Sequence, residues 1–272
     1  PRLALSAAQA ATGFASSIIG CDVEAGIDGE MPPGETPDGR PGIGLLFFGF
    51  SRPAVEKALV NRIGQAILTC PTTACYNGLP VDPAKALKVG GQLRFFGDGW
   101  QSSKIIGERR FWRVPVMDGE FLVEESFGTT KGVAGGNLIL LCRDSSEGLE
   151  AAEACAAAMR DVPGVILPFP HGIVRAGSKV GSRYKALKAS TNHAFCPSLR
   201  AQVATALPDE AVVAYEIVAD GLDLPALEES TRRGIAAVVD HPAVVKITAG
   251  NYGGKLGPFH LRLREIAGLN PS

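Results

Sequence analysis

Val212–Leu222 reads Val-Val-Ala-Tyr-Glu-Ile-Val-Ala-Asp-Gly-Leu. Its β-branched and aromatic residues, closed by Asp220-Gly221, predict a buried strand. A helical pattern follows over Leu224–Val239, and then a second apolar run, Pro242-Ala243-Val244-Val245-Lys246-Ile247. The same order occurs earlier in the chain. Gly136–Cys142 reads as a strand, Leu149–Arg160 as an Ala-rich helix and Pro163–Leu167 as another strand. Each unit carries Gly-Leu ahead of its helix and Pro followed by a small residue and Val behind it. Two such βαβ units predict a split βαβ, ferredoxin-like lobe.

Glu216 does not fit its strand. It stands between Tyr215 and Ile217, and an ionised carboxylate in an apolar site is costly enough that such groups tend to become neutral. A carboxylic acid kept neutral near pH 7 can donate a hydrogen bond or a proton. Strand alternation offers the plainer reading, in which Glu216 points at solvent.

The first half supplies material for a comparable lobe. Leu3–Thr12 is helical, Gly13 suits its end, and Ser16–Cys21 reads as a strand. Asp28–Gly42, rich in Pro and Gly, reads as an irregular loop, and Ile43–Phe50 as a buried strand. Ser51 is a good N-cap with Pro53 in the first turn, opening a helix to about Thr69. Its apolar face is Val55, Leu59, Ile63, Ala66 and Ile67. Cys70–Leu87 is turn-rich, and Leu93–Phe96 and Arg110–Val116 read as strands. Met117-Asp118-Gly119 suits a boundary or a hairpin turn. The expected fold class is therefore α/β (α+β): two ferredoxin-like α/β sandwich lobes with largely antiparallel sheets, over residues 1–117 and 118–272.

The 272 residues suffice for such an arrangement. With 46% hydrophobic and 20% charged residues and a net charge of −1, nothing argues for nucleic acid or a membrane surface as partner. The longest apolar runs are too short to span a bilayer, and no secretory signal is present. The six Cys show no Cys-x-x-Cys and read as reduced cytosolic thiols. The four His are scattered, so no metal site is expected. The chain opens at Pro1, directly in a helical pattern, and a further N-terminal segment is expected.

Three Gly-rich stretches stand out: 126–137, 169–192 and 249–257. None contains Gly-x-Gly-x-x-Gly, and Gly254-Lys255 lacks the Ser/Thr that a P-loop needs. The middle stretch sets Arg175, Lys179, Arg183, Lys185 and Lys188 among small and hydroxyl residues. Such groups suit phosphate or carboxylate ligands, and equally a solvated charged face. Phe95-Phe96-Gly97-Asp98-Gly99-Trp100 is either a tight turn or a backbone that must approach a ligand closely.

Taken in order, several motifs make the chain similar to the formylmethanofuran:tetrahydromethanopterin formyltransferases. They are Ala11-Thr12-Gly13-Phe14, Glu24–Asp28, Glu35–Gly42, Phe96–Gly99, Gly132–Asn137, Ser178–Ser182, Tyr215–Val218 and Gly250–Gly257. The Cys content and Trp100 resemble the bacterial, methylotroph branch. The resemblance implies a distal N-terminal lobe, lacking an upstream acidic segment here, and a proximal C-terminal lobe. It implies formyl transfer between methanofuran and tetrahydromethanopterin, two coenzyme substrates, with no bound cofactor and no metal. It places the protein in cytoplasmic one-carbon metabolism and formaldehyde oxidation. It also implies a homo-oligomer, a tetramer or dimer of dimers, and assembly with formylmethanofuran hydrolase subunits. Glu216 matches the proposed protonated carboxyl of that family. Lys179, Ser182, Arg183 and Lys185 are candidates for substrate carboxylates or phosphate, and Asn251, Tyr252 and Lys255 for the pterin. Asp98 is a candidate for orienting a donor. The competing readings are another pterin-dependent one-carbon transferase and a non-catalytic scaffold subunit.

Overall fold

The computed structural model describes residues 2–14, 21–251 and 257–269. By packing the chain forms two units, Pro1–Lys131 and Gly132–Ser272.

In the first unit, helix α1 (Arg2–Thr12) closes with Gly13 N–H donating to Gln9 O at 2.9 Å. Strands β1 (Val23–Met31) and β2 (Gly42–Gly49) form an antiparallel ribbon. Helix α2 (Arg52–Arg62) starts where Ser51 Oγ accepts from Ala54 N–H. It runs on into a π-turn over Ile63–Ile67, with Leu68 N–H donating five residues back to Ile63 O at 2.8 Å. Then come β3 (Ala74–Cys75), the short helix α3 (Val89–Leu93), β4 (Ser102–Ile106), β5 (Arg109–Val116) and β6 (Gly119–Glu124). The last four strands make one sheet in the order β3-β6-β5-β4. Leu59, Ile63, Ile67, Leu93, Val114 and Phe121 form this unit's core with Ala7 and Ala11 of α1.

Several expectations change here. Leu93–Phe96 is helical: α3 passes into a 3-10 turn over Arg94–Gly97. Val89 and Leu93, one turn apart, are both buried, so α3 uses a helical face and leaves Phe95 and Phe96 exposed. Gly90 allows this packing, since a Cβ there would lie 2.1 Å from Glu124 O. Ile43–Phe50 is only half-buried, because its ribbon presses Leu45 and Phe47 alone onto the core. The Asp28–Gly42 loop begins inside β1. Most of the expected strand Ser16–Cys21 lies outside the described residues, and Cys21 itself sits in a bend. Met117–Gly119 is the β5–β6 hairpin turn, and Gly119 has φ +128°. By packing, β6 belongs to the unit Pro1–Lys131.

The second unit contains β7 (Val133–Cys142), α4 (Ser145–Arg160), β8 (Val165–Ile166), β9 (Ile173–Val174), β10 (Ser178–Val180), β11 (Ala189–Thr191), β12 (Val213–Gly221), α5 (Leu224–Val238), β13 (Val244–Thr248) and α6 (Leu263–Ile266). Its main sheet has the order β13-β7-β12-β8, all antiparallel, with β9 also on β12. The two βαβ units thus interleave as a split βαβ. The first unit's described strands form the ribbon and the separate four-stranded sheet instead, so the ferredoxin-like order is seen in the second unit.

Both long helices are capped. Asp144 accepts from Ser146 and Glu147 N–H, and Asp223 from Ala226 N–H. Together α4 and α5 cover one face of the sheet. Ala151, Cys155, Ala156 and Met159 of α4, with Leu227 and Ile235 of α5, pack on Leu138, Leu140, Ile217 and Ala219. The opposite face carries a second apolar cluster. There Ile139 and Leu141 meet Leu207 and Ala211, with Phe195 and Ala214 beside them.

Candidate active site

Alternation along β12 decides where Glu216 points. Val213, Tyr215, Ile217 and Ala219 belong to the helix-covered core, so Ala214, Glu216 and Val218 project from the other face. That face is not open water. Glu216 lies opposite Ile139 of β7 and Val174 of β9, and only 8% of it is exposed. The plain reading of a solvated strand residue is overturned by the segment folded over it. Burial pushes the carboxyl up to about 7, against the ordinary 4.5, and a backbone hydrogen bond from Ser178 N–H opposes that rise. Glu124 in the first unit is the contrasting case. That buried carboxylate is gripped by Arg109 through both oxygens, at 2.8 and 2.5 Å, and accepts from Asn77 N–H at 2.8 Å. Glu216, raised by its burial, is set up to carry a proton near neutrality.

The Ser178 amide is aimed by the turn before it. Gly177 has φ +52°, and a Cβ there would fall 4.0 Å from Glu216 Oε2. From Ser178 the chain runs out as the β10–β11 hairpin and returns, with Asn192 N–H donating to Gly177 O at 3.1 Å. Lys179 is part-buried and donates from Nζ to Ser190 Oγ at 3.0 Å, so its ammonium helps hold the hairpin closed. Ser182 Oγ accepts from Tyr184 N–H at 3.0 Å. Arg183, Tyr184 and Lys185 stand exposed at the tip. The structure thus brings Lys179, Ser182, Arg183 and Lys185 onto one hairpin whose base touches Glu216.

The third Gly-rich stretch begins on the same sheet. Asn137 of β7 lies opposite Val218 on the Glu216 face. Its side chain holds Gly250 by two bonds: Gly250 N–H donates to Oδ1 at 2.8 Å, and Nδ2 donates to Gly250 O at 2.9 Å. Asn251 turns its Nδ2 to the His260 ring, 3.0 Å from Nδ1, and to Phe259 O at 3.4 Å. Tyr252 and Lys255 lie outside the described residues. Asp98 belongs to the first unit and is exposed, in left-handed conformation with φ 51° at the end of the Arg94–Gly97 turn. The tight-turn explanation accounts for its backbone.

Sequence reasoning missed the roles of Asn137, Gly177 and the Ser178 amide. Asn137 carried a usable signal, because Asn is depleted in strands and this one opens the apolar run Leu138–Cys142. Among the described residues, no group of three or more His, Cys, Asp or Glu could hold a metal ion. No helix among them is long and apolar enough to cross a membrane.

The family model described as formylmethanofuran-tetrahydromethanopterin formyltransferase matches residues 1–116, and that of the proximal lobe of the same enzymes matches residues 119–266. This chain belongs to the formylmethanofuran–tetrahydromethanopterin formyltransferase family. The enzyme of that name from Methylobacillus flagellatus is 52% identical over 270 residues, covering 97% of this chain and 89% of the relative. The formyltransferase/hydrolase complex from Methylorubrum extorquens, solved with methylofuran, contains a chain with a TM-score of 0.93 and 48% identity. The match covers 98% of this chain and 89% of that one. The formyltransferase of Methanosarcina barkeri matches with a TM-score of 0.91 and 46% identity, over 97% and 90% of the two chains. The two family models meet at the Met117-Asp118 turn, ahead of the break in packing at Lys131/Gly132.

Proposed function

We propose that this chain transfers a formyl group between the amine of methanofuran and a ring nitrogen of tetrahydromethanopterin, with Glu216 as the acid that serves the tetrahedral intermediate. The amine of one coenzyme attacks the formyl carbon carried by the other. A C–N bond forms and the carbonyl π pair moves onto oxygen. When the carbonyl re-forms, the first C–N bond breaks, the leaving nitrogen takes up a proton and the entering one gives a proton up. Most of the rate comes from holding the two substrates in line and stabilising the oxyanion, for which one well-placed donor contributes about 2.7–4 kcal/mol. The observation that carries this reading is the buried Glu216 carboxyl, held near neutrality by desolvation in a chain of this family.

Arg183, Lys185 and Ser182 at the hairpin tip receive anionic groups of a substrate, with Lys179 contributing from the strand below. Asn251, Tyr252 and Lys255 serve the pterin, and Asp98 orients a donor. We place the protein in the cytoplasm, in formaldehyde oxidation, as a homotetramer that joins formylmethanofuran hydrolase subunits. The formyltransferase/hydrolase complex of M. extorquens supports that assembly.

The test is formyl transfer from formyl-tetrahydromethanopterin to methanofuran, wild type beside Glu216→Gln. Loss of kcat by about 10²–10⁴-fold is expected in the variant. A variant as fast as wild type would remove Glu216 from the chemistry.

A further inference from the structure

Arg94 opens the 3-10 turn that follows α3 in the first unit. Its guanidinium carbon lies over the Trp112 ring, 4.4 Å from the centroid, and over the Phe95 ring at 4.7 Å. Two aromatic faces thus hold the group by cation–π attraction. Its donors are unspent. Nε is buried without an acceptor, and among the described residues Arg94 makes no hydrogen bond and no ion pair. The neighbouring cations differ. Arg109 grips Glu124 and Arg113 grips Glu120, each through two bonds, and Arg110 donates to Ser103 Oγ at 3.0 Å. The acid beside Trp112 is Glu125. Its Oε2 accepts from Trp112 Nε1 and its Oε1 lies 3.8 Å from Lys88 Nζ, so it serves the indole and a lysine rather than Arg94.

Covering Trp112 does not require an arginine. A Met or Leu would do so without burying an unpaired donor, which costs free energy. What a guanidinium adds is a planar fork of N–H groups that matches two oxygens of a carboxylate or phosphate. Arg94 is only partly buried, and Phe95, Phe96 and Trp100 stand exposed along the same short stretch of chain. We propose that Arg94 anchors an oxyanion-binding site in the first unit: its N–H fork takes the carboxylate or phosphate of a small ligand, and the Trp112 and Phe95 rings hold the guanidinium in place for it. Free phosphate and an acidic group on either coenzyme share this chemistry. The site needs no contact with Glu216 and does not rest on the function proposed above.

The chain has two Trp, Trp100 and Trp112, so in a Trp100→Phe background fluorescence reports Trp112 alone. An oxyanion on Arg94 offsets the cation over the indole and should shift its emission. The experiment titrates the full chain in that background with inorganic phosphate, methanofuran and tetrahydromethanopterin at constant ionic strength, and repeats this with Arg94→Met and Arg94→Lys added. A saturable shift with at least one probe is expected. Arg94→Met should abolish it. Arg94→Lys keeps the charge without the fork and should raise the Kd at least about tenfold. Saturation by a coenzyme below the phosphate concentrations needed assigns the oxyanion to that coenzyme, and saturation by phosphate alone assigns it to the free ion. No saturable shift with any of the three overturns the proposal, and so does a shift that sodium chloride reproduces. An unchanged Kd in Arg94→Lys overturns it as well, and that comparison decides the matter if Arg94→Met does not fold. Absence of formyl transfer in wild type would count against the proposed function and leave these titrations to decide the role of Arg94.

Discussion

Burying Glu216 costs stability, and the sign of the cost is measurable. A carboxyl raised in the folded state keeps its proton over a pH range where the unfolded chain has already lost it. Below 4.5 both states are protonated and the group contributes nothing. Between 4.5 and about 7 the unfolded state is ionised and the folded state is not, so stability falls as pH rises. Above about 7 the penalty is complete. The span from 4.5 to about 7, at about 1.4 kcal/mol per pH unit, amounts to about 3 kcal/mol. Glu216→Gln removes the ionisation, so the variant should match wild type in denaturation at pH 4 and exceed it by up to about 3 kcal/mol at pH 8. An equal difference at both pH values would show that the carboxyl is not perturbed. The same ionisation predicts that kcat declines as pH rises through about 7 in wild type, if the protonated form does the work. A flat wild-type profile from pH 6 to 8 would assign the acid role elsewhere. Glu216 was legible in the sequence as one carboxylate inside an apolar run. The Ser178 amide was not, because a backbone donor at a remote turn leaves no side-chain signature.

At the scale of elements, the second unit depends on a close approach of α4 and α5. A Cβ on Gly234 would come within 2.6 Å of Met159 Cγ and 3.0 Å of Cys155 Sγ. Met159 is 1% exposed and has nowhere to move, and Ser230 Oγ donates to Met159 O at 2.9 Å from the facing helix. Gly234→Ala gains about 1 kcal/mol of helix propensity and loses more to overpacking, for a net destabilisation of about 1–2 kcal/mol. A urea midpoint that rises in the variant would mean the helices lie further apart. The helices and long strands of this unit were readable because each repeats its apolar residues over many positions at one period. The failures have a common physical origin in short elements. Phe95-Phe96 has strand-like residues, yet the burial of Val89 and Leu93 at helical spacing outweighed them. Strand β4 is exposed at every position, so no alternation marked it. The ribbon strand β1 and the hairpin β10–β11 are fixed by their partners rather than by their own composition.

At the scale of the molecule, two cores divide the work. One gathers Leu59, Ile63, Val114 and Phe121. The other gathers Leu138, Leu140, Met159 and Ile217 under the Glu216 sheet. The sequence made the second architecture legible because its βαβ pattern occurs twice. The first unit has no such repeat, and its strand order could not be read. The division predicts how damage spreads. Phe121 is 2% exposed, and Phe121→Ala should cost the first unit about 3–5 kcal/mol. If each core sustains its own unit, amide exchange in β5 and β6 should accelerate while β7 and β12 hold wild-type protection. Thermal unfolding should then split into two transitions, and no single free energy of unfolding would describe the chain. If β7 and β12 lose protection in step with β5 and β6, the two units unfold as one. The Glu216 site would then draw its stability from both cores.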